Sequence, residues 1–280
     1  MIGVKLIMHD TKNPLVSVCI PMYNAEKYIK KTIDSIIKQT YTNLEIIVID
    51  NASTDHSVNI VEEIQDPRIV VKKNATNVGL VNNWNLCIDS ANGLYVNIVC
   101  ADDILEEHCI EKKVEILSQD SKVGAVFSAS RIINTRDDIV LRRRPFKGNI
   151  KFEGNILAKK AFTVKNCFAE PSNVLFRREV MKQVGYYDSN IISVLDWDYM
   201  LRVCLCSNVY YIDEYLTCFR ISNTSTTGQI FNNLHRLIDE DKFFVEKYKK
   251  IFPKRIINCH IVLVRSRMIL KIIFMKMRKL

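Results

Sequence analysis

The chain has 280 residues, 48% of them hydrophobic and 25% charged, a balance that excludes a disordered, fibrous or low-complexity protein and allows one large domain or two small ones. Nine scattered cysteines with no Cys-x-x-Cys pair exclude a zinc or disulfide framework and point to a reducing cytoplasm, and no run of about eighteen uncharged apolar residues is present to span a membrane. The formal charge of +9 is confined to one end: residues 251–280 hold eight basic residues and no acid, leaving +1 for the rest. From the N-terminus, Leu15 to Ile20 reads as a short buried strand closed by Pro21, with Asn24 as the cap of the next helix. Ile29, Ile33, Ile36 and Ile37 give that helix one apolar face. Leu44 to Ile49 is a second buried strand stopped by Asp50, and residues 51–55 are turn and cap chemistry. A helix through Ile64, a strand at Ile69–Val71 and a helix from about Leu80 to Ala91 follow, the last ended by Gly93.

The stretch from Gly93 to Leu105 organises the rest. It is an apolar run too short for a helix, and it stops at two adjacent carboxylates, Asp102 and Asp103. Strand–helix alternation with buried strands predicts a mostly parallel sheet flanked by helices, with polar strand ends gathered along one edge. Tyr23, Asn24, Asp50, Asp102 and Asp103 all fall there. Paired acids without a basic neighbour call for a hard divalent cation, Mg²⁺ or Mn²⁺, shared with a diphosphate; the plainer alternative is an Asp-Asp turn capping a helix. No Gly-x-Gly-x-x-Gly follows the first strand, against a dinucleotide fold.

The second half is less regular. A helix near Glu106–Ser118 leads to a strand at Val123–Ser128, and Arg142-Arg143-Arg144-Pro145 reads as an exposed loop or, alternatively, a clamp for an acidic substrate. Glu170-Pro171-Ser172 precedes a strand at Val174–Phe176. Leu195 to Arg202 enters an apolar helix, and strands at Val209–Ile212 and Tyr215–Arg220 precede a polar run, Ser222–Gly228. Two helices broken at Pro253 end the chain.

Residues 16–26 (Val-Ser-Val-Cys-Ile-Pro-Met-Tyr-Asn-Ala-Glu), residues 46–55 (Ile-Ile-Val-Ile-Asp-Asn-Ala-Ser-Thr-Asp), Asn77-Val-Gly79, the Asp102-Asp103 pair and Asp196-Trp197-Asp198 together resemble the family 2 glycosyltransferases. The resemblance covers roughly residues 14–225. It implies the GT-A fold and sugar transfer from a nucleotide-diphosphate donor with inversion, the acceptor being a hydroxyl of a glycan or lipid-linked glycan in bacterial surface polysaccharide synthesis. It further implies a glycosyltransferase domain over 1–225, with a donor half at about 14–120 and an acceptor half at about 121–225, followed by a basic helical extension over 226–280.

Carried over position by position, the resemblance implies that Pro21 and Tyr23 shape the base pocket, that Asn24, Glu26 and Asn77 lie near the donor, and that Asp50 accepts a hydrogen bond from the base. Asp102 would face the ribose or sugar and Asp103 the metal. Asp196 matches the general base, with Asp198 as the rival; Glu170, Trp197 and Asp198 would stand on the acceptor side. Three positions depart from the pattern. Cys100 replaces the first acid of Asp-x-Asp, and a thiol is a poor Mg²⁺ ligand. Trp84, read as core, stands where an Arg is common, and Ser222 replaces a histidine two residues after Arg220.

A carboxylate base and no covalent nucleophile imply a single displacement. A non-catalytic nucleotide-sugar or membrane-surface binding module of the same fold is the alternative. Nucleic-acid binding is not expected, for want of a recognition motif. Wound as a helix, residues 257–280 place Val262, Leu263, Ile269, Leu270, Ile273, Phe274 and Met277 on one side, with basic residues opposite and along the flanks. That pattern predicts docking of residues 251–280 on an anionic membrane surface, making the protein peripheral on the inner face of the plasma membrane; packing of the tail on the protein itself is the alternative.

Overall fold

β1 (Val16–Met22) is buried almost throughout because parallel neighbours flank it, β2 (Leu44–Asp50) on one side and β4 (Tyr95–Ile98) on the other. The computed structural model describes residues 13–164, 166–168, 170–221, 234–263 and 266; the polar run Ser222–Gly228 and most of the basic tail lie outside the described residues. β3 (Ile69–Lys73) pairs in parallel with β2, and α1 (Ile29–Ile37), α2 (Ser57–Glu62) and α3 (Leu80–Ser90) make the connections. Ile29, Ile33 and Ile36 are all buried, so the apolar face of α1 does what its spacing predicts.

The second half extends the same sheet with mixed strands. β6 (Val123–Ile133) is antiparallel to β9 (Leu175–Arg177), which is antiparallel to β4. β10 (Asn208–Arg220) runs parallel to β6, and β5 (Ile104–Leu105) closes the far end, giving the order β3-β2-β1-β4-β9-β6-β10-β5. β7 (Ile139–Arg143) adds to β6, and β8 (Ile150–Phe152) to β10.

Helices cover both faces. α1, α2 and α4 (Cys109–Gln119) lie over one core, with Ile33, Val61 and Val114. α3, α5 (Gly154–Val164), α6 (Arg178–Val184), α7 (Leu195–Cys206), α8 (Leu234–Tyr248) and a helical stretch over 254–263 surround the other, where Phe162, Trp197, Phe244, Tyr248, Phe252 and Ile257 pack together. The helices on either side of Pro253 therefore share a core with α5 and α7.

Several local expectations change. β1 continues through Pro21 to Met22, where β2 alone still pairs with it, so the missing N–H interrupts nothing on the β4 side. Asn24 does not cap α1; that helix starts after Tyr28 with no side-chain cap. Gly93 is required by close approach: a Cβ there would sit 2.6 Å from Leu15 O and Ser17 N of β1. The two expected strands near 209–220 are one long strand kinked by bulges around Ile212–Thr217, and the arginine loop is the end of β7.

Candidate active site

β1, β2, β4, β6 and β10 run in one direction and β9 in the other. The carboxyl ends of the first five and the start of β9 therefore meet along one sheet edge, the position at which open α/β sheets bind ligands. Tyr23, Asn24, Asp50, Asp102, Asp103, Ser172 and Arg220 all belong to that edge.

On the β1–β2 side the loops are cross-braced by the residues that the sequence singles out. Asn24 adopts a left-handed backbone (φ 48°), and its Oδ1 accepts a hydrogen bond from Thr54 N at 2.8 Å. Its own N–H donates to Ser53 Oγ at 2.9 Å. Glu26 accepts from His56 N at 3.0 Å, while Glu26 N donates to Asp55 Oδ2 at 3.0 Å. Asp50 is buried and both its oxygens face Ser53 N. Pro21 is half-buried, whereas Tyr23 is 49% exposed, a ring held open beside this loop pair. Asn77 Oδ1 accepts from Asn51 Nδ2 and Gly79 N, both at 2.9 Å. Asn51, Asn74 and Asn83 extend this amide network to Ile49 O, a set that no local pattern groups. Gly79 permits the turn with φ 85°.

The turn after β4 separates the two acids. Asp103 is fully buried; one oxygen accepts from the Ser172 hydroxyl and the other from Arg220 N at 2.9 Å. Burial and the neighbouring Asp102 charge push its carboxyl well above the usual range. Asp102 is half-buried, and burial raises its carboxyl too, opposed by a backbone hydrogen bond and by Arg220. Arg220 is the residue that sequence reasoning missed here. Its side chain is buried under the turn: Nε donates to Asp102 O at 2.9 Å, Nη1 to Asn134 O at 2.8 Å and to Asp137, and the guanidinium lies 4.5 Å from the Tyr28 ring centre. Cys100 is half-buried, and desolvation, followed by the Asp103 and Asp102 charges, pushes its thiol well up, opposed by a hydrogen bond with Ser172.

Asp196 lies in the first turn of α7, after the N-cap Val194, where the helix dipole favours a carboxylate. Burial nevertheless raises its carboxyl; the first-turn amide of Trp197 and the Arg143 charge pull the other way, and Glu170 adds to the rise. Its Oδ2 meets Asn166 Nδ2 at 3.4 Å. Glu170 is buried, ion-paired with Arg143 at 2.7 Å, and accepts from Ser130 Oγ at 2.8 Å. Arg143 also donates to the carbonyls of Asn166 and Phe168. The middle arginine of the run therefore reaches inward to the Asp196 neighbourhood, while Arg144 pairs with Asp213 and Arg142 stays exposed.

Helical periodicity turns the next two residues away from Asp196. Trp197 is buried among Phe244 and His260, with no hydrogen-bond partner for Nε1 among the described residues. Asp198 is fully buried and held by Arg202 (2.8 Å), Lys247 (2.9 Å) and Tyr248 Oη (3.0 Å). Neither joins the edge that carries Asp102. Trp84 is core, edge-on to Tyr187. Ser222 lies outside the described residues.

Among the described residues no three His, Cys, Asp or Glu converge as a metal cage. With the Asp103 oxygens taken and Cys100 offering only a soft sulfur, the donor set fits a hard cation held by the Asp102 carboxylate and completed by oxygens of a bound diphosphate.

The model of glycosyl transferase family 2 matches residues 17–185. An uncharacterized glycosyltransferase of Methanocaldococcus jannaschii is 32% identical over 220 residues, 76% of this chain and 73% of its own. Among solved structures, TarS of S. aureus in complex with UDP-GlcNAc superposes with a TM-score of 0.72 at 16% identity, covering 89% of this chain and 71% of that one. A mannosyltransferase from Pyrobaculum calidifontis in complex with GDP-Man and Mn²⁺ gives 0.65 at 20% identity, covering 90% and 70%.

Proposed function

Because the chain belongs to glycosyl transferase family 2 and has the GT-A fold, we propose that it is an inverting transferase that moves a sugar from a nucleotide diphosphate to a hydroxyl of a glycan or lipid-linked glycan. The observation that carries this reading is the gathering of Asp50, Asp102 and the Asp103–Ser172–Arg220 junction on one sheet edge. Tyr23 stacks on the base and Asp50 accepts from it, while Asn24, Glu26 and Asn77 keep the surrounding loops in shape. A nucleotide-sugar donor is supported by the complexes of the two structural neighbours.

Asp102 is the residue of this chain that would hold Mg²⁺ or Mn²⁺, and Asp103 holds the turn that presents it. Bound there, the ion would offset negative charge on the diphosphate. Asp196 takes the proton of the acceptor hydroxyl as that oxygen attacks the anomeric carbon. Its raised carboxyl suits a base that must accept a proton in a site shielded from water. Glu170 and Arg143 hold the segment beside it. The remaining basic tail, beyond the described helix over 254–263, docks on an anionic surface, and Lys254 and Arg255 are exposed at its start.

The test is a transfer and hydrolysis screen of UDP- and GDP-sugars with and without Mn²⁺, followed by Asp196→Asn. That variant should bind donor normally and lose at least about a hundredfold in turnover. A wild-type protein that binds a nucleotide sugar but turns over none of the panel would instead favour the non-catalytic binding module.

A further inference from the structure

The β6–β7 ribbon carries a surface that the transfer chemistry leaves unused. β7 pairs with β6 along one edge and has no strand on the other among the described residues. Three consecutive residues, Ile139, Val140 and Leu141, are 44%, 51% and 57% exposed. Successive strand residues point to opposite faces, so β7 exposes apolar side chains on both. A flat apolar edge of this kind associates with something unless it is covered.

Charge says what covers it. Residues 134–147 hold five basic residues and two acids. Asp137 is engaged by Lys31 and Arg220, whereas Asp138, hydrogen-bonded to the neutral Asn134 amide, keeps its charge. At the base of the ribbon Glu170 is paired with Arg143 and Asp213 with Arg144. Arg136, Arg142 and Lys147 are exposed and form no ion pair among the described residues. Lys160 of α5 stands 5.4 Å from the Phe146 ring centre, just past the strand. Apolar side chains flanked by three unpaired cations against one unpaired carboxylate leave a net positive rim, which matches the interface of an anionic bilayer.

We propose that the β6–β7 ribbon is a membrane-docking element, seating Ile139, Val140 and Leu141 among lipid headgroups and acyl ends with Arg136, Arg142 and Lys147 on anionic phosphates. The position suits such a role. Arg143, the next residue of the strand, turns inward to Glu170 beside Asp196, so a docked ribbon holds the acceptor side of the site against the lipid surface. α5 carries Lys160 under the ribbon and also receives His260 of the C-terminal helix, whose Nδ1 lies 2.7 Å from Phe162 O. The ribbon and the start of the basic tail are thus anchored on one helix. The ribbon surface does not rest on the tail docking proposed above.

The experiment is co-sedimentation of the full chain with phosphatidylcholine vesicles, with and without phosphatidylglycerol. Two ribbon variants (Val140→Glu with Leu141→Glu, and Arg142→Glu) and a tail variant (Lys271→Glu with Lys276→Glu) are compared, each checked for an unchanged thermal midpoint and donor hydrolysis. Binding should require phosphatidylglycerol, weaken with salt, and fall at least about tenfold in each ribbon variant, whatever the tail variant does. Ribbon variants that bind as tightly as wild type overturn the proposal. So does a wild-type dimer in light scattering that the Val140→Glu, Leu141→Glu variant converts to a monomer without any vesicle binding, since the strand is then covered by a second copy. If hydrolysis is absent from every protein while the lipid pattern holds, the transfer reading fails and the docking surface stands.

Discussion

Asp102 and Asp103 show how one residue's shift in position changes its chemistry. They are neighbours in sequence, yet Asp103 spends both oxygens on Ser172 and Arg220 while Asp102 meets Arg220 only through its backbone carbonyl. Asp103→Asn keeps an oxygen for Arg220 N, and the Ser172 hydroxyl can turn to accept from the new amide, so nucleotide affinity and its Mn²⁺ dependence should survive. Asp102→Asn should remove the Mn²⁺-dependent part. Calorimetry with nucleoside diphosphate, with and without chelator, separates the two; loss in Asp103→Asn alone returns the metal to Asp103. Arg143 gives a second residue-scale expectation. Its charge lowers an Asp196 carboxyl that burial raises. The base works unprotonated, so activity rises with pH through that carboxyl's pKa. Arg143→Gln removes a lowering influence, and the acid limb of the kcat/KM profile should move to higher pH. An unmoved limb with reduced rate would assign Arg143 a purely structural part.

At the scale of elements, α7 divides its work by face. Asp196 meets the Asn166 amide, while Asp198 ties α7 to α8 through Lys247 and Tyr248 and to its own next turn through Arg202. Asp198→Ala leaves these cations around an empty site, and breaking a buried pair in this way costs about 3 kcal/mol. Chemical denaturation should show that loss, with the turnover of the folded fraction little changed. The strands and helices of the first half were legible because each signal is local: a short apolar run, a 3.6-residue period, an acid at a strand end. Asp50 and the Asp102–Asp103 turn were found that way. Asn24 and Glu26 were found as well, but as donor contacts, whereas the loops use them as braces. Arg220 was not legible and Arg143 was marked only as part of an arginine run, since they act on residues 117 and 27 positions away. The expected acceptor-side Trp197 and Asp198 followed the motif's spacing without the helix rotation that carries them into the core.

For the whole molecule, the C-terminal helices are structural before they are anything else. Phe252 and Ile257 are buried beside Phe162, Phe244 and Tyr248, and His260 stacks on Phe162. A chain ending at Lys250 removes both apolar side chains, each worth about 2–5 kcal/mol on truncation, and should unfold at a clearly lower temperature or aggregate. One ending after Ser266 should melt near the full chain. Equal melting of the two would show that the helix over 254–263 contributes little. The charge map read from sequence places the basic excess in the tail; the fold adds a second basic surface at Arg136, Arg142 and Lys147, which composition alone averages away against the acids of other elements.

The junction beneath the Asp102 turn also has a consequence in time. Its two hydrogen bonds join Asp103 to Ser172, 69 residues on, and to Arg220, 117 residues on. Contacts of such separation form after local ones, because the intervening chain must first be brought to order. During synthesis the first four strands can pair and the Asn24–Thr54 brace can close, yet the turn that presents Asp102 has no support until β10 has emerged and docked. The turn that carries Asp102 is therefore completed late and in one step, when the last strand of the sheet slides into place.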